Sequence, residues 1–287
     1  MASALYPDHT LAQFRRVQRI AYDSAEAVAR SLQPGVTEKQ AAAMLADTLR
    51  QRGVRGYFHR PFAWFGERTM FAGFRSPLDF FPTQRALQRG DPAILDVAPV
   101  MEGHAADIGY TFSLEKSRKV EVAIADLEVF RTLILEQVLA ERKLRDIYRA
   151  VDAVIAELGY VNCHQRYPFA VLAHKVDKVA SRLSDRLPSL LGFGPAAALP
   201  LLGGRLAALF GGARRTPLWN GTASSNVRAE PGLWAVEPHI GRDGVGAKWE
   251  ELLVVTESSA YWLDDDLPHV RAWQQPAGRP QPVQARR

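Results

Sequence analysis

The chain has a single cysteine, Cys163, in 287 residues. One thiol cannot build a disulfide framework or a cysteine-rich zinc site within a chain, and it fits a reducing, cytoplasmic setting. The opening MASALYPDHTLAQFRR also lacks the apolar core of a signal peptide. Basic residues are not gathered into a stripe with interleaved aromatics. The net charge is +5, but it is scattered apart from pairs such as Arg214–Arg215 and Arg286–Arg287. That pattern describes a solvated surface, and nucleic acid is not the expected partner. Nor is there an unbroken membrane-length apolar run. The segment LPSLLGFGPAAALPLLGG, residues 187–204, carries no charge, but it holds three prolines and four glycines, which break a helix repeatedly. It reads as an apolar insertion at about 186–215, acting as a lid, a partner surface or a plain surface excursion.

What is present is ordinary globular material, 47% hydrophobic and 23% charged, enough for one large domain or two small ones. Apolar residues recur at helical spacing over 11–31. Thr37 then opens TEKQAAAMLADTLRQRG, with Gln40 in the capping-box position and Gly53 just past the end. Short aromatic-rich, strand-like pieces follow, and LQRGDPAILDVAPV reads as a turn feeding a strand. Helical periodicity returns over 122–158 and stops at Gly159. The stretches GLWAVEPHI (232–240) and KWEELLVVTES (248–258) read as strands. The order helix–helix–strands thus occurs twice, which suggests two related halves. A tail over 272–287, rich in Pro, Gln and Arg, reads as disordered, leaving 1–271 as one domain.

The chemistry starts in ILDVAPVMEGHAADIGYTFSLE, where Asp96 and Asp107 lie eleven residues apart on the arms of one apparent hairpin. With a turn centred near Met101 and Glu102 the two carboxylates would face each other, about 5 Å apart at Cβ. Like charges at that distance repel. Apolar neighbours make solvent a poor remedy, so a divalent cation is the preferred one and a shared proton the alternative. Further ligands should be His or carboxylate interrupting strand-like runs. His174 in FAVLAHKV, Glu237 in LWAVEPHI and Glu250 in AKWEELLVV fit that description. Taken singly, each also reads as an ordinary core, strand-end or surface residue. Together they make an oxygen-rich site with one nitrogen, suited to two divalent ions among Mn, Co, Fe and Zn.

The order Asp, Asp, His, Glu, Glu resembles the creatinase/methionine aminopeptidase/aminopeptidase P family, the pita-bread metalloenzymes, over about residues 11–266. LQPGVTEKQ is similar to that family's helix start, LQRGDPAILDVAPVMEGHAADIGYTF to its first hairpin, and LWAVEPHIGRDGVGAKWEELLVVTE to its second. The resemblance implies an α/β (α+β) fold in which a curved, pseudo-two-fold antiparallel sheet is flanked by helices. It implies a dinuclear site on Asp96, Asp107, His174, Glu237 and Glu250, with Glu237 as general base toward a peptide or small amide. It also implies that the catalytic unit begins close to residue 1, as in a methionine aminopeptidase.

The sequence departs from the family pattern in several places. AHKVDKVASR stands for the usual GHGIG and has no second histidine. GERTMFAGFRSPLDFFP lacks the substrate-holding histidine found upstream of the first aspartate. Tyr110 stands where arginine is common, and KWEE replaces a pattern with arginine ahead of the last glutamate. His239, two residues after Glu237, is a candidate replacement acid/base or substrate contact. Lys175 and Asp177 are candidate pocket residues, His59 is a weaker candidate for the cleft, and His104 is expected to be exposed at the hairpin turn. The 63 residues from His174 to Glu237 would bring the insertion out beside the site. The expected activity is aminopeptidase-like hydrolysis. The alternatives are lyase or small-molecule hydrolase chemistry on the same fold, or a non-catalytic binding module. A homodimer is compatible with this reading.

Overall fold

The computed structural model describes residues 6–178 and 218–274. The apolar insertion and the end of the tail lie outside the described residues. The chain begins with helices α1 (Asp8–Ser31) and α2 (Glu38–Gln51). The expected capping box at the start of α2 is present: Thr37 Oγ1 accepts from Gln40 N, and Gln40 Oε1 accepts from Thr37 N. Strands β1 (Gly56–Phe65), β2 (Pro92–Met101), β3 (His104–Ala105) and β4 (Ile108–Ser113) follow. Helical periodicity from 122 onward becomes three helices rather than two: α3 (Arg118–Asp126), α4 (Glu128–Leu139) and α5 (Leu144–Glu157). Next come β5 (Val161–Asn162), β6 (Ala173–Val176), β7 (Leu218–Trp219), β8 (Gly232–Val236), β9 (His239–Arg242), β10 (Val245–Lys248), β11 (Glu251–Val255) and β12 (Ala260–Trp262). Helix α6 (Pro268–Gln274) extends into the tail as far as 274, because Trp273 is buried and its Nε1 donates to Ile124 O.

Among the described residues all pairings are antiparallel. They form three ladders: β1–β2 with β3 and β4, β10–β9–β5, and β12–β11–β8–β6–β7. A bridge from Tyr110 to Trp249 ties the first ladder to the chain between β10 and β11. Alternation along the strands separates two faces. Leu95 and Val97 of β2, Trp234 and Val236 of β8, and Leu253 and Val255 of β11 share one core with Ala25, Val28, Leu45, Phe130 and Ile147 from the helices. The alternate residues, among them Asp96, face away from it.

The first hairpin differs from the expected register. Its turn is Glu102–Gly103, both at positive φ, with Met101 paired to His104. Asp96 therefore pairs with Gly109 rather than with Asp107, and the two aspartates are diagonal neighbours. His104 is half-buried rather than exposed, its ring edge-on to Phe14 at 4.9 Å. The expected strands 232–240 and 248–258 each break, at Glu237–Pro238 and at Trp249–Glu250.

A candidate metal centre with a buried lysine

These breaks carry two of the five acidic and imidazole groups. Glu237 leaves β8 just before Pro238 ends the ladder, and its N–H donates to Leu172 O. Glu250 lies between β10 and β11 and is braced from α1: Tyr22 Oη donates to Glu250 O at 2.7 Å, and Gln18 Oε1 accepts from Leu252 N at 2.8 Å. His174 stands on β6 opposite Ala235 of β8, its ring stacked on Phe58 at 5.8 Å. Asp96 is in mid-β2, and Asp107 sits just ahead of β4. Aspartates 96 and 107 and glutamates 237 and 250 are all buried.

The structure brings Asp107, His174 and Glu250 together, with one potential ligand atom from each lying within 4.8 Å of the others. His174 Nε2 is 3.2 Å from Asp107 Oδ2 and 3.7 Å from Glu250 Oε1. His59 closes a second such triad with Asp96 and Asp107. Its Nε2 is 3.0 Å from Asp107 Oδ1 and 3.4 Å from Asp96 Oδ1. Asp107 is thus shared. Oxygen and imidazole donors at this spacing fit a divalent cation.

The remaining carboxylate oxygens face a lysine. Lys248 Nζ donates to Asp96 Oδ2 at 2.6 Å, Glu237 Oε2 at 2.9 Å and Glu250 Oε2 at 2.9 Å. It lies 5.0 Å from the centre of the Tyr167 ring, and its side chain is fully buried. Glu237 belongs to neither triad and has the ammonium as its charged partner.

The charges act on one another in the directions expected. Burial raises the carboxyls of Asp96 and Glu237 above the usual range, Lys248 pulls both down, and the nearby Glu250 adds to the rise. Burial works against Asp107 too, but His59 and His174 hold it well below the usual carboxylate range. Both imidazoles are raised despite burial, with Asp107 the main opposing influence. Burial would lower Lys248, yet Asp96, Glu237 and Glu250 raise it.

His239 is fully buried beside this group. Its Nε2 is 2.7 Å from Thr69 O and its Nδ1 is 3.3 Å from Tyr167 Oη. Burial pushes it well below the usual histidine range. A neutral ring donating from Nε2 to Thr69 O and accepting at Nδ1 from Tyr167 satisfies both contacts. Lys175 turns to Glu230, 3.3 Å away, and Asp177 is hydrogen-bonded by Tyr6.

Residues 12–257 match the family described as metallopeptidase family M24. The chain belongs to that family. Three solved structures share its fold at low identity. An X-Pro aminopeptidase from Thermotoga maritima MSB8 superposes with a TM-score of 0.64 at 17% identity, over 90% of this chain and 61% of that one. A dipeptidase from Pyrococcus horikoshii OT3 gives 0.63 at 18%, over 90% and 60%. The prolidase from Pyrococcus furiosus gives 0.62 at 15%, over 90% and 64%. The chain thus spans about three-fifths of the length of each. No curated protein sequence matches it. The pita-bread architecture of helices flanking antiparallel sheet is the fold of this M24 chain.

Two of the residues in the centre were not assigned as site residues from sequence. Lys248 was visible only as the departure KWEE. The available signal was its place two residues before Glu250, which on an extended strand sends both side chains to one face. His59 was only a weak candidate for the cleft. It lies 37 residues before Asp96 on a strand whose register with β2 shifts on either side of it, so alternation could not fix its direction.

Proposed function

We propose that this M24 chain is a metal-dependent hydrolase acting on a peptide or small amide in the manner of an aminopeptidase. The observation that carries this reading is the convergence of Asp107, His174 and Glu250 within ligand distance of one another, both carboxylates buried and the imidazole half-buried. These residues would hold a divalent ion, with Asp96 and His59 flanking Asp107. When bound, such an ion acidifies water and polarises a carbonyl. Glu237 is the proposed general base that takes the proton of the attacking water. Burial and Glu250 raise its carboxyl, which brings it closer to that task. The proposed part of His239 is to orient Tyr167, whose ring borders Lys248. The two-ion site expected from the five-ligand set would also draw on Asp96 and Glu237, and both of these face Lys248.

A second reading, hydrolysis or elimination of a small non-peptide molecule on the same centre, has one observation in its favour. In place of a substrate-holding histidine, the chain over 66–82 brings Phe71, Phe74, Phe80 and Phe81 against Phe62, Trp64 and Tyr167. An aromatic wall favours an apolar group on the substrate.

Among the described residues no helix is long and apolar enough to cross a membrane. A cytoplasmic setting is proposed on the lone, buried Cys163, whose thiol burial pushes up to about 12.

The test is hydrolysis of a panel of dipeptides, tripeptides and non-peptide amides before and after chelation, with manganese(II), cobalt(II), iron(II) and zinc(II) added back. Activity lost to the chelator and restored by one of these ions is expected. Glu237→Gln should lower kcat by roughly 10²–10⁴-fold when measured on the folded fraction, since the change also takes one carboxylate from the buried Lys248. Chelator-resistant turnover would sink the metal reading. Turnover of non-peptide substrates alone would select the second one.

A further inference from the structure

A two-ion centre of this kind depends on carboxylates that give one oxygen to each ion. The oxygens of this site are divided differently. On one side, Asp107 Oδ2 and Glu250 Oε1 face His174 Nε2. On the other, Glu250 Oε2, Asp96 Oδ2 and Glu237 Oε2 are all taken by Lys248 Nζ. Three oxygens that a second ion would draw on already hold a cation, one belonging to the chain itself, while Asp96 Oδ1 and Asp107 Oδ1 face His59.

The lysine is built in. Gly109 pairs with Asp96 across the hairpin, and the Lys248 stem fills the space over its Cα. A Cβ at Gly109 would overlap Lys248 Cε and lie 2.9 Å from Cδ and 3.1 Å from Cγ. Any residue with a side chain at 109 would therefore displace the lysine. Its backbone is clamped as well: Lys248 N donates to Thr111 Oγ1, and Thr111 Oγ1 donates to Lys248 O. The Tyr167 ring covers the ammonium from the side. Buried this deeply, the charge needs its three carboxylates, and it repels any divalent ion brought to the same oxygens.

We propose that the ammonium of Lys248 stands in for the second cation of a dinuclear centre, so that this chain holds one divalent ion, on Asp107, His174 and Glu250. The inference rests on the metal reading given above and narrows it. One site cation is fixed by the sequence and cannot be lost to a chelator. The other is exchangeable.

The experiment counts ions. The full chain is dialysed against chelator and titrated with manganese(II). Bound metal is measured by elemental analysis and its coupling by electron paramagnetic resonance. Wild type should bind one equivalent with the spectrum of an isolated ion. Lys248→Met and Lys248→Gln should each bind two, with the spectrum of an exchange-coupled pair. Should neither variant fold, the wild-type count still decides, since two equivalents there overturn the proposal while leaving the metallohydrolase reading intact. Two equivalents reduced to one by His59→Gln would place the second ion at the His59–Asp96–Asp107 triad and likewise overturn it. Folded Lys248 variants that keep a single equivalent would also overturn it. No ion in any of these proteins would sink both this inference and the metal reading.

Discussion

At the scale of single residues, the centre turns on a glycine. Gly109 is needed because its missing side chain is the space that the Lys248 stem occupies. Overfilling a packed site costs roughly 1–3 kcal/mol. Gly109→Ala is expected to destabilise the protein by about that much in a denaturant or thermal melt. Most of the loss should disappear when Lys248→Met is present as well, because the clash then meets a side chain with no carboxylates to reach. Additive losses would show that Gly109 serves the backbone rather than the lysine. The same scale separates two adjacent glutamates. Glu250 turns to the candidate metal centre, whereas Glu251 points to the helix side, where it accepts from Arg131 Nε at 2.8 Å and faces His269 Nε2 at 3.1 Å. One is a candidate ligand and the other ties α4 to the sheet.

Among the elements, the start of α2 fastens the first half of the molecule. Glu38, the residue after the Thr37 cap, is fully buried, and its carboxylate accepts from Phe65 N, Arg68 Nε, Thr83 N and Thr83 Oγ1. Through one side chain, α2 is joined to the end of β1 and to the loop that leads into β2. Removing one partner from a buried charged network costs about 3–5 kcal/mol. Glu38→Ala is expected to lose stability on that order in chemical denaturation. The metal count of the folded fraction should stay the same, since Glu38 reaches none of the candidate ligands. A fall in metal count at full folding would contradict this purely structural role. The strand breaks act at this scale too. By ending β8 at Val236 and starting β11 at Glu251, the sheet lets Glu237 and Glu250 leave their ladders toward one point.

For the whole molecule, acid stability should be governed in part by a histidine outside the candidate metal centre. His164 is fully buried, edge-on to Tyr148 at 5.2 Å, with Asn162 Nδ2 donating to its Nε2 at 2.7 Å. Burial pushes its pKa from the ordinary 6.5 down to about 3. As pH falls through 6.5 the unfolded chain takes up this proton, while the folded chain stays neutral until about pH 3. Stability from this group is therefore complete above pH 6.5 and declines between 6.5 and 3, by at most about 1.4 kcal/mol per pH unit. Urea midpoints of wild type from pH 8 to pH 5 should fall more steeply than those of His164→Phe. Equal slopes would rule the histidine out as the source.

The order and spacing of Asp96, Asp107, His174, Glu237 and Glu250, the capping box at Thr37, the helical periodicity and the family fold were legible in the sequence. Each is written locally, in a short motif or a repeat of apolar positions, and local signals need no knowledge of what lies across the sheet. The hairpin register was not legible, because the positive-φ pair at Glu102–Gly103 fixed the turn one residue later than composition suggested. Nor was the division of the carboxylate oxygens. The convergence of His59, Gly109 and Lys248 depends on bulged strand pairing, on strands that stop short, and on a long side chain threading the space above a glycine 139 residues away. The sequence determined that carboxylates would gather around positive charge, since burying them otherwise is too costly. Only the tertiary structure decided that part of that charge is the protein's own ammonium, because proximity between distant strands is set by the packing of the whole sheet.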